Sequence, residues 1–310
     1  MNVLLVTEWD KDVFKCGEVV RELRERGFRA RIMHDAKPAA KHRLWSLGLP
    51  TKVISMFPLK HFLPEWADIW QQMNYTKIEE YQVLERAGIP IPKWVPIYPD
   101  EKPDLSDLED YVVVKPAWSG RGACISVMKK DKVVYHPIRT DAMYGDLSPA
   151  LIAQEYIHTG AWPTCYRVGT IFGEPYYTLR STASGSRAPF IGSMFDANFF
   201  SGKSIVATAR GCVRDDEVPR DVIELAKQAH EAFPDIPILG VDLVRDIRTN
   251  QLYVLEVNAC GRTYQLDDEY IERNRKEFGI DIIGQFGGIK AVVRGIMNKI
   301  KSEELEGASV

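Results

Sequence analysis

The sequence predicts an α/β opening followed by a larger α+β region built on antiparallel strands, and three stretches carry that prediction. Residues 3–7, 17–26 and 30–33 alternate as buried strand, amphipathic helix and strand, a βαβ start. The middle of the chain then runs strand after strand. Near its end, two apolar strands at 239–244 and 251–257 flank the polar turn 245–250 and read as an antiparallel hairpin.

In chain order, the first helix is closed by Gly27. The following segment carries Lys37, Lys41, His42, Arg43, Lys52 and Lys60 among apolar residues, with a strand at 52–56. Such a basic run is more often a solvated face than a site for an acidic partner. Residues 75–87 are helical, stopped by Gly88-Ile89-Pro90-Ile91-Pro92, and a new domain is expected from about Asn74. Residues 96–110 read as a loop rich in Pro and Asp. Strands are expected at 111–115, 123–129, 132–135, 151–157, 166–171 and 175–180. An amphipathic helix at 218–233 precedes the hairpin, and helix returns from about Asp267, broken at Gly287-Gly288. The basic and apolar stretch 289–300 reads as a helix packed on its own domain rather than on a membrane surface, and 302–310 is polar enough to fray.

At 310 residues and 45% hydrophobic content the chain can bury a core large enough for two or three domains. A net charge of -3 supplies no global basic field, which argues against nucleic acid or anionic lipid as partner and makes any anion binding local. Cys16, Cys124, Cys165, Cys212 and Cys260 are scattered and odd in number, which fits a reducing cytoplasm better than a disulfide framework. The opening run Val3-Leu4-Leu5-Val6 is too short for a signal or a membrane span, and no other stretch approaches the ~20 apolar residues a spanning helix needs. A cytoplasmic protein without a membrane partner is expected.

The hairpin is the most informative segment. Folded about a centre near Arg248, it sets Asp242 almost opposite Glu256, and Asn258, two residues on, shares the face of Glu256. Like charges opposite each other on a sheet call for a compensating cation, and Mg²⁺, with Mn²⁺ as an alternative, suits two carboxylates and an amide oxygen. Each residue alone reads as an ordinary outward polar group; together they favour a metal.

Residues 111–116 form a β-branched strand ending in Lys115-Pro116, followed by Ala117-Trp118-Ser119-Gly120-Arg121-Gly122. Ser119, Gly120, Arg121 and Gly122 would let backbone amides approach a phosphate while Lys115 supplies charge; a hairpin turn would use the same residues. The segment is neither a Walker A loop nor a dinucleotide fingerprint.

The order of these parts resembles the ATP-grasp superfamily: Gly88-Ile89-Pro90-Ile91-Pro92, Val113-Val114-Lys115-Pro116 with its glycine loop, Gln154-Glu155-Tyr156-Ile157, Gly240-Val241-Asp242, and Leu255-Glu256-Val257-Asn258. The resemblance implies a short Rossmann-like N-terminal domain (1–74), an ATP-grasp small lobe with the glycine loop (75–157) and a large lobe with the metal site and C-terminal helices (158–310). It implies that Lys115 contacts the α- and β-phosphates, that Lys77 is the first ATP-contacting lysine, and that Gly120 to Gly122 cover the phosphates. Read without the resemblance, Lys77 is a solvent-facing lysine on an amphipathic helix. Gln154, Glu155, Tyr156 and Ile157 would be the hinge that receives adenine, largely through backbone groups. Asp242, Glu256 and Asn258 match the Mg²⁺ ligands.

Gly240-Val241-Asp242 is more similar to the glutamate ligases that modify ribosomal protein S6 than to D-alanine–D-alanine ligases, which have an arginine where this chain has Gly240. An oxyanion arginine is then sought at Arg180, with Arg167 and Arg262 behind it; a surface salt bridge is the competing account of each. Ala259-Cys260-Gly261-Arg262 departs from the family's Pro-Gly after the metal strand, and 181–210 matches nothing in it.

Such enzymes use ATP and Mg²⁺ to turn a carboxylate into an acyl phosphate, which an amine then displaces to form an amide bond. The expected partners are therefore ATP, a carboxylate and an amine acceptor, which is an amino acid, a peptide or a small metabolite. The rival functions are a kinase on the same fold and a non-catalytic nucleotide-binding module. His136 and His158 lack a paired acid nearby, and Cys260, beside the metal strand, reads as a small buried residue.

Overall fold

The computed structural model describes residues 1–7, 15–35, 45, 48–61, 64–118, 125–136, 150–184, 212–259 and 268–307. The chain opens with β1 (Asn2–Thr7), α1 (Cys16–Glu25), β2 (Arg29–His34), β3 (Thr51–Ser55) and β4 (Asp68–Gln71). These strands form a parallel sheet of order β2-β1-β3-β4. Strand β1 is central and buried on both faces, which is why it reads as an unbroken apolar run. Strand β4 is short, with one buried side chain, and gives no such signal in the sequence.

Next come α2 (Lys77–Arg86), β5 (Trp94–Ile97), β6 (Tyr111–Pro116), β7 (Ser126–Lys129) and β8 (Leu151–Glu155). The four strands make an antiparallel sheet of order β5-β8-β6-β7. The strand expected at 132–135 is absent. Lys130–Lys132 makes a 3₁₀ turn instead, and a strand at Trp94–Ile97 takes in Pro96 and Ile97, which were expected to begin the loop.

The third sheet has the order β11-β10-β9-β12-β13. It is built from β9 (Thr164–Ile171), β10 (Glu174–Ala183), β11 (Cys212–Asp215), β12 (Ile238–Arg245) and β13 (Leu252–Asn258), with α3 (Arg220–Glu231) between β11 and β12. One face packs on α3 through Val168, Leu239, Val241, Leu243 and Val257. The other face is covered at one end by α4 (Asp268–Phe278) and α5 (Ile289–Gly307).

Helix α5 buries Ile289, Val292, Val293, Ile296 and Ile300 in a core shared with α1 and β10, so 289–300 packs on the protein itself. Helix continues through the polar stretch expected to fray, as far as Gly307. Glu303 explains it: the carboxylate accepts from Lys52 at 2.5 Å, from the Trp70 indole at 3.1 Å and from Lys299 at 3.0 Å. Lys52, read from sequence as part of a basic face, is instead a buried cation inside this cluster, also bonded to Asp68. Lys37, Lys41, His42 and Arg43 lie outside the described residues. Among the described residues no helix is long and apolar enough to cross a membrane.

Helix α3 is fastened to β9 by a buried imidazole. His230 Nε2 lies 2.9 Å from the Ile236 carbonyl, so that nitrogen carries the proton and Nδ1 accepts from the Thr170 hydroxyl at 2.7 Å. Burial holds His230 down to about 4, below its ordinary 6.5. The unfolded chain therefore takes up this proton first, and stability present above about pH 6.5 is lost as the pH falls toward 4, by about 3 kcal/mol. Urea midpoints measured from pH 7 to pH 4 should show that slope, and His230→Gln should flatten it.

Candidate active site

Strand alternation sorts the side chains of the third sheet onto two faces, and the register says which. Asp242 stands opposite Glu256 on one side and Arg167 on the other. A bulge past Asp242 leaves Leu255 as the extra residue, because Leu243 pairs with Val254. Asn258 pairs with Gly240, which in turn pairs with Gly169, so Asp242, Glu256, Asn258 and Arg167 share one face. Both glycines keep that face low; a Cβ on Gly169 would lie 2.1 Å from the Tyr177 ring.

Each carboxylate already has a cation. Arg167 grips Asp242 with two bonds, Nε to Oδ1 at 2.7 Å and Nη2 to Oδ2 at 2.5 Å. Lys77 Nζ lies 3.0 Å from Glu256 Oε2, with only 11% of its side chain exposed, which rules out the solvent-facing reading of this lysine. Asn258 Nδ2 donates to Asp242 Oδ2 and to the Gly240 carbonyl, both at 3.2 Å. Burial alone would raise Glu256, but Lys77 and then Lys115 hold it down to about 2. The Asp242 carboxylate pushes Arg167 above its ordinary range.

Helix α2 delivers Lys77 because Thr76 caps it: the Thr76 hydroxyl accepts from the Glu79 amide while the Glu79 carboxylate accepts from the Thr76 amide. That arrangement is legible as Thr-x-x-Glu ahead of an apolar run. The Lys77 amide donates to the Ala117 carbonyl at 2.8 Å, joining the helix start to the end of β6. Lys115, the penultimate residue of β6, is buried, and burial together with Lys77 lowers it to about 8. Glu80, one turn on from Lys77, is pushed up to about 8 by burial and bonds the Val257 backbone.

Residues 154–157, expected to form the hinge, are partly engaged. Gln154 turns its amide inward to the Tyr81 hydroxyl at 2.7 Å. The Glu155 and Tyr156 amides donate to the Lys93 and Tyr111 carbonyls, and Ile157 is buried. A base docking at this hinge would use its remaining groups. His158 lies 3.8 Å from Glu109, beside Arg248 at the far end of the hairpin, away from the lysines.

Arg180 is not brought to this cluster. It is in register with Tyr166 and Asp215, one residue out of phase with Arg167, so it projects from the opposite face. There it is paired with Asp215 at 2.9 Å and Glu217 at 3.5 Å. Ser119, Gly120, Arg121, Gly122 and Arg262, with Cys260, lie outside the described residues. Arg214, which no motif marks in the sequence, shares the Arg167 face through its pairing with Ser181; its guanidinium packs on Phe278 and its Nε is buried without a hydrogen-bond partner. No motif marks Tyr81 and Glu80 either, although both follow Lys77 at helical spacing. Cys165, on the same face, is no nucleophile: burial and then Asp242 push its thiol up to about 12.

The donor set suits a hard divalent cation. Two carboxylates and an amide sit together, the side chains of Asp242 and Glu256 keep 16% and 27% of their exposure, and all donors are oxygen. Among the described residues no cluster of three or more His, Cys, Asp or Glu offers a competing centre.

No family model matches the chain, and no curated protein matches it by sequence. Solved structures do. The D-alanine–D-alanine ligase of Bacillus anthracis superposes over 99% of both chains at a TM-score of 0.51 and 12% identity. The D-cycloserine synthetase DcsG matches 95% of this chain and 99% of its own, at 0.51 and 14%. The ATP-grasp ligase PsnB, solved with a minimal precursor, matches 95% and 98%, at 0.50 and 14%. At such identities the likeness is one of fold: this chain has the architecture of these ligases over nearly its whole length.

The two arginines should separate in solution. Arg167→Met strands a largely buried carboxylate and should cost about 2 to 4 kcal/mol in urea unfolding. Arg180→Met loses half-buried pairs whose carboxylates stay open to water, and should cost at most about 1 kcal/mol in the same measurement.

Proposed function

We propose that this chain, with its ATP-grasp ligase fold, is an ATP-dependent carboxylate–amine ligase working through an acyl phosphate. The observation that carries the reading is the convergence, on one sheet face and the helix beside it, of three cations with two carboxylates and an amide: Lys77, Lys115 and Arg167 around Asp242, Glu256 and Asn258. Such a cluster suits a polyphosphate accompanied by divalent metal. Two of the solved relatives were captured with nucleotide, one with ATP and one with Mg and ADP, and this supports the same pair of cofactors here.

In the proposed reaction a substrate carboxylate oxygen bonds to the γ-phosphorus as the bond to the β-bridging oxygen breaks, releasing ADP. The amine nitrogen then bonds to the acyl carbon, phosphate leaves, and the amine proton passes to solvent. Lys115 and Lys77 would hold the phosphates and offset their charge. Arg167, already at the centre of the face, is the oxyanion candidate best placed to stabilise the tetrahedral intermediate, a kind of donor whose loss costs about 3 to 4 kcal/mol. Mg²⁺ held by Asp242, Glu256 and Asn258 would neutralise charge developing on the transferred phosphoryl group. Among such ligases, Gly240-Val241-Asp242 aligns the chain in motif style with the S6 glutamate ligase group, with an amino acid, a peptide or a small metabolite as the acceptor.

The test is ADP and phosphate release from Mg·ATP across a panel of amino acids and peptides, with mass spectrometry of the products. Condensation with loss of water, together with ADP and phosphate, is expected; gain of a phosphoryl group instead would make the protein a kinase. Glu256→Gln should lower turnover by at least about a hundredfold, and full activity in that variant would remove the metal assignment.

A further inference from the structure

No motif assigns a role to Tyr81, yet its hydroxyl joins four elements of the site. The residue is fully buried on α2, one turn after Lys77. Its oxygen accepts from Lys115 Nζ at 2.8 Å and from Gln154 Nε2 at 2.7 Å, and donates to the Leu255 carbonyl at 2.6 Å. A phenol has one proton and two lone pairs, so this hydroxyl is saturated and the direction of each bond is fixed. The carbonyl takes the proton, leaving the lysine and the amide as donors. Lys115 comes from β6, Gln154 from β8 and Leu255 from β13, immediately before Glu256.

Core packing does not require that oxygen. The ring rests on Trp94 with centroids 5.4 Å apart and lies beneath the Lys115 ammonium, 5.3 Å from the ring centre, and phenylalanine would keep both contacts. A buried hydroxyl is costly unless it is bonded, and this one spends its bonds on a lysine, a hinge residue and the metal-bearing strand. Lys115 has four rotatable stem bonds and two nearby carboxylates, Glu256 and Asp242, that attract it. Without an anchor it would swing onto them and leave the phosphate position.

We propose that Tyr81 is a positioning residue for the nucleotide: it holds the Lys115 ammonium off the carboxylates and fixes its distance to the metal strand through the Leu255 carbonyl. This rests on reading the site as one for Mg·ATP. The effect should fall on the polyphosphate and spare the nucleoside.

The experiment is calorimetric titration of the full chain with Mg·ATP, and with adenosine by competition, for wild type, Tyr81→Phe, Lys115→Met and the double variant. Tyr81→Phe should weaken Mg·ATP about tenfold and adenosine by less than about twofold, and should add nothing in the Lys115→Met background. Equal weakening of both ligands, additive losses in the double variant, or no loss at all would overturn the inference. Should Tyr81→Phe fail to fold, 3-fluorotyrosine at position 81 keeps the hydroxyl as a weaker acceptor; it should give the same ligand split at a smaller fold-change, and its absence would count against Tyr81. A wild-type chain that binds neither ligand would remove the nucleotide reading itself, and this inference with it.

Discussion

The free edge of β13 is the constraint on which the site depends. An edge strand presents unpaired amides and carbonyls, and here they lie beside Glu256 and Asn258 of the proposed site. The Val254 amide is met by the Pro90 carbonyl, the Leu255 carbonyl by Tyr81 and the Val257 amide by Glu80. Lys77 closes on Glu256 between them. Helix α2 and the turn after it thus stitch one strand at four successive residues, each neutral bond contributing about 1 kcal/mol. Because the same helix start is bonded to Ala117 and its tyrosine to Lys115, β13 and β6 are fixed against each other through one element.

Charge is arranged to match. Opposed Asp242 and Glu256 would repel, and Arg167 and Lys77 relieve this from opposite sides. Glu80, up at about 8, is protonated at neutral pH and adds no third negative charge. With Lys115 the cluster carries one more positive charge than negative, so it is neutralised internally without being saturated, and a magnesium–polyphosphate complex would enter by sharing these cations. A fold that buries lysines and carboxylates together costs stability unless each charge is paired, and such concentration is characteristic of functional sites.

Much of this was legible in the sequence because it rests on periodicity. A symmetric hairpin brings Asp242 close to Glu256, but the register near the turn, Arg245 with Leu252 and Leu243 with Val254, would set Asp242 against Leu255; the bulge at Leu255 is what brings Glu256 opposite it. Strands β4, β5 and β11 were not legible: each is only four residues long and presents no alternating apolar face. The arginines show the limit most clearly. Arg167 and Arg180 look alike along the chain, and only the pairing of β9 with β10, including the irregularity between Pro175 and Tyr177, decides which face each occupies. Tyr81 was hidden for a different reason, since an aromatic at helical spacing reads as core and only its partners reveal the hydroxyl's use.

The most direct measurement is a crystal structure of the protein with Mg²⁺ and a non-hydrolysable ATP analogue. The account predicts phosphates held by Lys77 and Lys115, the base at the 154–157 hinge, and metal on Asp242, Glu256 and Asn258. A nucleotide bound elsewhere, or phosphates on this face with Asp242 and Glu256 still fully occupied by Arg167 and Lys77 and no metal between them, would contradict it.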